Sequence, residues 1–374
     1  MKSISIKRIN RDRLTAFLMI LPSIVLLAIF VYGFIGQTIY SSMTDWEGLG
    51  EIVDLEFVGM DNYRQLFTGL LEVRFRQSLV NTFYFTIFFI TGCLAMGLLL
   101  AILLDQSIEF EGTFRLIFLF PMALSFIVTG TVWRWLFNPV GGLNRLPTLI
   151  GLPALEFKWL TNRTQIWQFN WQNLPMILSI IILVLLVFLF IRYLRRGNRT
   201  TAIISGVLAA FLLFWILRDG PQAVPVPQFE EIHGFNLALT GIILAAVWQM
   251  SGYTMAMYLA GMRSIPEELR EAAIVDGANV FQVYRHIILP ILQPITLSAM
   301  IVLGHISLKI FDLIFVMAGP DNATTDVPGV LMFVTAFRGN QFAKGAAIAV
   351  VMLILVAFVI VPYLVSTLRS ETEL

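Results

Sequence analysis

Charge is scarce in this chain. Only 13% of its 374 residues are Asp, Glu, Lys or Arg, where a soluble domain carries about 25%. The apolar fraction is 58% and the mean hydropathy +0.82. That is more apolar surface than one core can bury, so the chain reads as an integral membrane protein. The single cysteine, Cys93, falls inside an apolar run, which excludes an internal disulfide and a cysteine metal cluster. The three histidines, His233, His286 and His305, lie far apart. They form no metal-ligand motif and read as scattered polar residues. No Gly-x-x-x-x-Gly-Lys-Ser/Thr is present, nor a Gly-x-Gly-x-x-Gly after a strand, so this chain is not expected to be an ATP-hydrolysing enzyme. A net charge of +1 argues against a nucleic-acid partner.

Long apolar runs are what the sequence has instead. They cover Leu14–Tyr40, Ser78–Leu104, Phe114–Phe137, Pro175–Ile191, Thr201–Leu217, Asn236–Met262, Ile295–Met317 and Phe342–Ser366. Each is long enough to cross about 30 Å of hydrocarbon as a helix, so the expected fold is an all-α, polytopic membrane protein of about eight spans. The first run is too long for the apolar core of a secretory signal and lacks a small-residue cleavage site. It is read as a retained span perturbed at Pro22, Gly33 and Gly36. Trp135, Trp159, Trp167 and Trp171 sit near the ends of the loop 138–173, as aromatic residues do at a membrane interface. An even number of spans puts both termini on one side. With that side inside, the segments 1–13, 105–113, 192–199, 263–292 and 367–374, with Arg115, hold about 14 Lys and Arg against about 8 outside. The expected topology is multi-pass, with both termini cytoplasmic.

The longest polar interval of the second half is Ser264–Pro290, between two of these runs. Ser264 with Glu267 is expected to form a capping box, with Pro266 in the first turn. Ile265, Leu269, Ala272, Ala273 and Asp276 share one helical face, while Glu267, Glu268, Arg270 and Glu271 point elsewhere. Gly277 is expected to end this helix with a left-handed backbone. Asn279 would then cap a second helix with Val280, Val283, Tyr284, Ile287 and Ile288 on its apolar face, closed by Pro290. Two short helices at an angle, held between two spans, are the predicted unit.

This stretch resembles the cytoplasmic coupling loop of ABC importer permeases. The family pattern is Glu-Ala-Ala, three residues, Gly, nine residues, Ile, one residue, Leu-Pro. Here it reads Glu271-Ala272-Ala273, Gly277, Ile287 and Leu289-Pro290, with every spacing met. The segments at 57–67, 79–88, 114–139 and 311–320 are similar to the carbohydrate branch, the maltose and glycerol-phosphate type. The resemblance covers about five-sixths of the chain. It implies one transmembrane domain over 1–374, with a core in 78–318 and 342–366, the coupling loop at 264–290, and an inserted two-span hairpin at 172–229. It further implies a second permease subunit, two ATPase subunits that hold ATP and Mg, an external sugar-binding protein and a sugar substrate. Coupling would rest on Glu267, Glu268, Glu271, Ala272, Ala273, Asp276, Gly277 and Pro290. Glu271 would pair with a basic residue of the ATPase.

Family members that touch sugar do so from the spans on either side of this loop. The resemblance therefore points to Gln249, Met250 and Tyr253 before it, and to Leu303, Ile306, Ser307 and Ile310 after it. Gln249 and Tyr253 either contact substrate or hydrogen-bond between helices. Lys309 and Asp312 lie three apart, one helical step, inside a span. Isolated charges there are costly, so they either pair or line the pathway. An ion-coupled secondary transporter would show inverted repeats and carboxylates deep in its spans. No convincing repeat is visible, and only Asp312 sits within a span. A membrane enzyme would show a cluster of His, Asp or Glu at the membrane face, and none is seen.

Overall fold

The computed structural model describes residues 11–48, 55–106 and 109–372. Most of the basic segment 1–13 therefore lies outside the described residues, as do 107–108 and 373–374. The chain forms two contact units, one of Met1–Tyr63 with Met332–Val351 and one of Arg64–Leu331 with Met352–Leu374. Three-quarters of the chain is helical. Six described helices are long and apolar enough to cross a membrane, or up to eight if each of two bent pairs is one span, which agrees with the expected all-α, polytopic fold.

In the first unit, α1 spans Thr15–Ser41 and widens into a π turn over Ala28–Gly33, past Pro22. The chain leaving it is fixed by Asn62, whose amide donates to the Ser42 and Thr44 carbonyls at 2.9 and 2.8 Å. The Trp46 ring lies 5.0 Å from that of Phe342.

The second unit holds the core. Its elements are α2 (Val73–Asp105), α3 (Glu111–Ala123), α4 (Phe126–Leu136), β1 (Gln165–Asn170), α5 (Leu174–Arg195), α6 (Arg199–Leu217), β2 (Ile232–Asn236), α7 (Leu239–Arg263), α8 (Glu267–Val275), α9 (Val280–Val283), α10 (Gln293–Leu308) and α11 (Asp312–Ala318). Lipid tails are as apolar as leucine, so helices in a bilayer associate by close packing rather than by burial from water. The α2–α7 pair follows this rule. A Cβ at Gly97 would fall 2.0 Å from Thr254 Oγ1 and 2.7 Å from the Met255 amide nitrogen. Only glycine admits α7 there, and Thr254 donates its hydroxyl to the Cys93 carbonyl at 2.7 Å. Phe85, Phe89 and Cys93 from α2 join Ile242, Ala246 and Met250 from α7 and Leu303, Leu313 and Ile314 in one buried cluster.

Three expectations are corrected here. The run 114–137 is not one straight helix: α3 and α4 meet at 99°, past Pro121, with Ser125 capping α4. The run 295–317 also breaks, because α10 ends at Leu308 and α11 starts at Asp312. The connections 138–173 and 218–235 carry β1 and β2, an antiparallel ribbon that the loop composition did not announce. The hairpin does form, as α5 and α6. Its helices pack chiefly on each other and on the short turns at their stem.

The ribbon marks one end of the bundle. There Arg76 is fully buried and its Nε donates to both Glu231 oxygens at 2.9 and 2.8 Å. His233 Nδ1 lies 2.7 Å from Gln77 Oε1. Gln77 donates to Asn81 at 2.8 Å, and Asn81 donates to the Asp326 carbonyl at 2.8 Å. His233 is thus a placed member of a buried network, not a scattered polar residue. Burial holds its pKa below the ordinary value. Arg74 pairs with the Asp326 carboxylate alongside.

Burial pushes the Asp326 carboxyl up to about 6, against the opposing pull of Arg74. Its unperturbed value is 3.8, so between these values the folded protein binds more protons than the unfolded chain. Stability must then fall as pH rises through that window. Melting temperatures in detergent should show this slope in wild type and lack it in Asp326→Asn. An unchanged slope in the variant would remove Asp326 as its source. Separately, Gly97→Val should cost at least about 1–3 kcal/mol by overpacking, read as a lower melting temperature or loss of monodisperse protein.

Candidate functional site

Opposite the ribbon, the chain from Ser264 to Leu292 makes a paired-helix knuckle. α8 starts after Pro266, which is extended at φ −55° and ψ 134°. Glu267 and Glu268 occupy its first turn, where carboxylates face the positive end of the helix dipole. The expected Ser264–Glu267 capping box is absent. α7 runs to Arg263, so Ser264 belongs to its last turn and donates its hydroxyl to the Gly261 carbonyl at 2.8 Å.

Gly277 ends α8 as expected, at φ +88°. The Gly277 amide donates to the Ile274 carbonyl and the Ala278 amide to the Ala273 carbonyl, both at 2.9 Å, which is a Schellman closure. Asn279 then caps α9 in a full capping box with Gln282, at 2.9 and 2.8 Å. Pro290 does not close this second helix. The path widens into a π turn at Tyr284–Ile288 and runs on to Ile291, bending by 63° before α10. A π turn absorbs the amide that proline lacks.

The apolar residues of the knuckle divide into two sets. Ile265, Val283, Ile288 and Leu292 turn inward onto Leu104, Met255, Leu259 and Met262. Ile274, Val275, Val280 and Phe281 face outward, with Val275 86% and Phe281 68% exposed. Val280 thus leaves the face it was expected to share with Val283. Glu267, Glu268, Glu271, Ala272, Asp276, Gly277 and Pro290 are exposed as well, and Ala273 is half-buried. Glu271 makes no ion pair among the described residues. The outer face of the knuckle is therefore apolar and acidic together, around a glycine turn.

What the sequence did not mark is the inner tether. Arg270 turns back under α8, with 16% of its side chain exposed, against Asp105 at 5%. Its Nη1 donates to Asp105 Oδ2 at 2.7 Å, and its Nη2 to the Met262 carbonyl at 2.8 Å. The Tyr284 hydroxyl donates to the same Asp105 oxygen at 3.0 Å. Burial alone would lower the Arg270 pKa, but the bonded Asp105 carboxylate raises it on balance. One guanidinium thus closes the ends of α2 and α7 together. Arg263 adds an exposed pair with Glu111. The only hint in the sequence was an arginine among glutamates, off the apolar face of the helix.

The second set of expected residues lies in the core. Gln249, Met250, Leu303, Ser307 and Ile310 are buried, and Tyr253 and Ile306 are half-buried. Gln249 donates to the Leu124 carbonyl at 2.7 Å, the group freed by the α3–α4 bend. Its Oε1 meets no donor among the described residues. Lys309 and Asp312 are not a helical pair. Lys309 follows the end of α10 and Asp312 opens α11. Both are exposed, and no ion pair joins them among the described residues. A carboxylate at a helix start meets the N-terminal dipole, which it would not do in mid-helix.

The family described as binding-protein-dependent transport system inner membrane component matches residues 192–370. A probable ABC transporter permease protein of Pyrococcus horikoshii is 35% identical over 356 residues, 95% of this chain and 96% of that one. The hairpin falls inside that aligned stretch. The xylose/arabinose import permease protein XacH of Haloferax volcanii is 33% identical over 344 residues, 91% of this chain and 84% of that one. Among solved structures, a bacterial ABC transporter involved in the import of the acidic polysaccharide alginate has a chain of the same fold. The TM-score is 0.60 at 20% identity, covering 94% of this chain and 96% of that one.

Removal of Arg270 leaves Asp105 buried and unpaired, a loss of about 3–5 kcal/mol where such pairs have been broken. Arg270→Met should therefore lower the melting temperature in detergent more than the double variant with Asp105→Asn does. A coupling energy above about 0.5 kcal/mol in that cycle is expected. Strictly additive losses would rule out the tether.

Proposed function

The chain belongs to the carbohydrate branch of the binding-protein-dependent ABC importer permeases, and we propose that its knuckle is where energy enters. In this reading two cytoplasmic ATPase subunits bind and hydrolyse ATP with Mg, and this chain does not. The apolar and acidic face of α8 and α9 docks into a cleft on one ATPase subunit. Glu271 pairs there with a basic residue, Ala272 and Ala273 allow close approach, and Gly277 sets the angle between the two helices. Glu267, Glu268 and Asp276 complete the acidic rim. Pro290 marks the end of the unit.

The observation that carries this reading is the division of the knuckle into two sides. Its inner side is tied to α2 and α7 by Arg270. Its outer side exposes Ile274, Val275, Val280 and Phe281 beside unpaired Glu271. A surface of this kind needs a partner of its own to cover it. Motion of that partner would then pass to α7 directly and to α2 through Arg270 and Asp105, which is rigid-body rocking rather than local unfolding. In this reading the knuckle, and with it both termini, lies in the cytoplasm.

The pathway is formed with a second permease, and an external binding protein delivers a sugar to it. In this reading Gln249, Met250, Tyr253, Leu303, Ile306, Ser307 and Ile310 are the substrate-side residues of this subunit, and most are covered by their own chain until it moves. Lys309 and Asp312 are charged and exposed, just past the end of the span that closes at Leu308. Such groups face water or another subunit rather than lipid, which supports their place along the pathway or against the second permease. The xylose/arabinose import named for the Haloferax relative and the alginate import named for the solved transporter are both consistent with a carbohydrate.

The test is Glu271→Lys in the assembled importer. Sugar uptake should be abolished, and the ATPase subunit should no longer co-purify, while the chain keeps its wild-type melting temperature. Uptake at the wild-type rate would count decisively against the knuckle as the coupling site.

A further inference from the structure

The hairpin has no part in the reading above, and its turn carries an unassigned feature. α5 ends in Arg192 and Arg195, the turn adds Arg196, and α6 opens on Arg199. All four arginines are exposed. Among the described residues none of them makes an ion pair or a side-chain hydrogen bond. No Asp or Glu occurs anywhere in α5 or α6, so nothing in the hairpin neutralises this charge.

The turn itself is closed by backbone hydrogen bonds. The Gly197 amide donates to the Leu194 carbonyl at 3.2 Å and the Asn198 amide to the Tyr193 carbonyl at 3.1 Å. Gly197 is left-handed at φ +76°, and Asn198 caps α6 through the Thr201 amide at 3.3 Å. Arg192, Arg195 and Arg196 are spaced so that one face of the helix carries all three. With Phe188 and Ile191 they line an open groove of about 350 Å³. Its apolar lining is Ile191 and, one turn before Arg192, Phe188.

We propose that this groove binds one anionic phospholipid. The phosphate is held by the forked guanidinium donors of Arg195 and Arg196, with Arg192 beside them, and the start of an acyl chain lies along Phe188 and Ile191. Guanidinium matches phosphate oxygens in pairs, which an ammonium cannot do. An apolar lining beside basic side chains fits an amphiphile and not a free anion, and basic clusters at the ends of membrane helices are where anionic headgroups collect. A signal that only oriented the hairpin would need the charge but not the groove.

The test uses the full chain, extracted in mild detergent and examined by native mass spectrometry with added phosphatidylglycerol or phosphatidylcholine. Wild type is expected to retain phosphatidylglycerol selectively. Substitution of Arg192, Arg195 and Arg196 together by Gln should reduce that retention by about two orders of magnitude. Millimolar inorganic phosphate should not displace the lipid. Equal retention of the two lipids, or displacement by inorganic phosphate, would overturn the proposal. So would a Gln variant that holds phosphatidylglycerol as wild type does. Should the triple variant fail to insert, a photoreactive phosphatidylglycerol decides on the wild-type chain. Crosslinks within 188–196 are expected, and crosslinks confined to other segments would refute the site.

Discussion

A carboxylate at the end of a helix, where the dipole is negative, is in the wrong place electrostatically. Asp105 occupies that place at the end of α2, and it is nearly buried. Arg270 and the Tyr284 hydroxyl make the position tolerable, at 2.7 and 3.0 Å. The same guanidinium takes the Met262 carbonyl at the end of α7. Two membrane helices and both arms of the knuckle therefore meet at one charge pair. None of the four can shift without breaking a bond to a group that has left water, and a buried charge stripped of its partner costs far more than the pair contributes.

α2 is held in a comparable way at its other end. Arg76 grips Glu231 next to the ribbon, and Gln77 and Asn81 extend the contact to His233 and Asp326. A long helix fixed at both ends by buried polar contacts, and pressed against α7 along its length by glycines, behaves as a rod. In lipid this rigidity has to come from packing and hydrogen bonds, because apolar side chains gain nothing from leaving one hydrocarbon environment for another.

Much of this was legible in the sequence. Run length and hydropathy specified an all-α membrane fold, because no other open structure satisfies its backbone in lipid. Gly277 and Asn279 were readable because turns and caps depend on local chemistry. The failures share a cause as well. Ser264 capped nothing because α7 ran one residue past its apolar run, to Arg263, which leaves Ser264 as its C-terminal flank. The 99° bend of α3 and α4 was invisible because Gln249 supplies the partner for the freed carbonyl from a distant helix. Arg270 was only placed off the apolar face because its partner lies on α2, far away in sequence. Local signals travel through the sequence, whereas a tether between distant residues leaves no periodicity to detect.

The broken helices carry one more consequence. Bent or interrupted backbone at membrane depth survives only where its free groups find partners in protein or water. At the α3–α4 bend that partner is Gln249. At the break between α10 and α11 the flanking Lys309 and Asp312 have no ionic partner among the described residues, and both are exposed. A chain that pins one bend internally and leaves the other with bare charges is complete on one side only. Such exposed charges require water or a second protein surface rather than lipid.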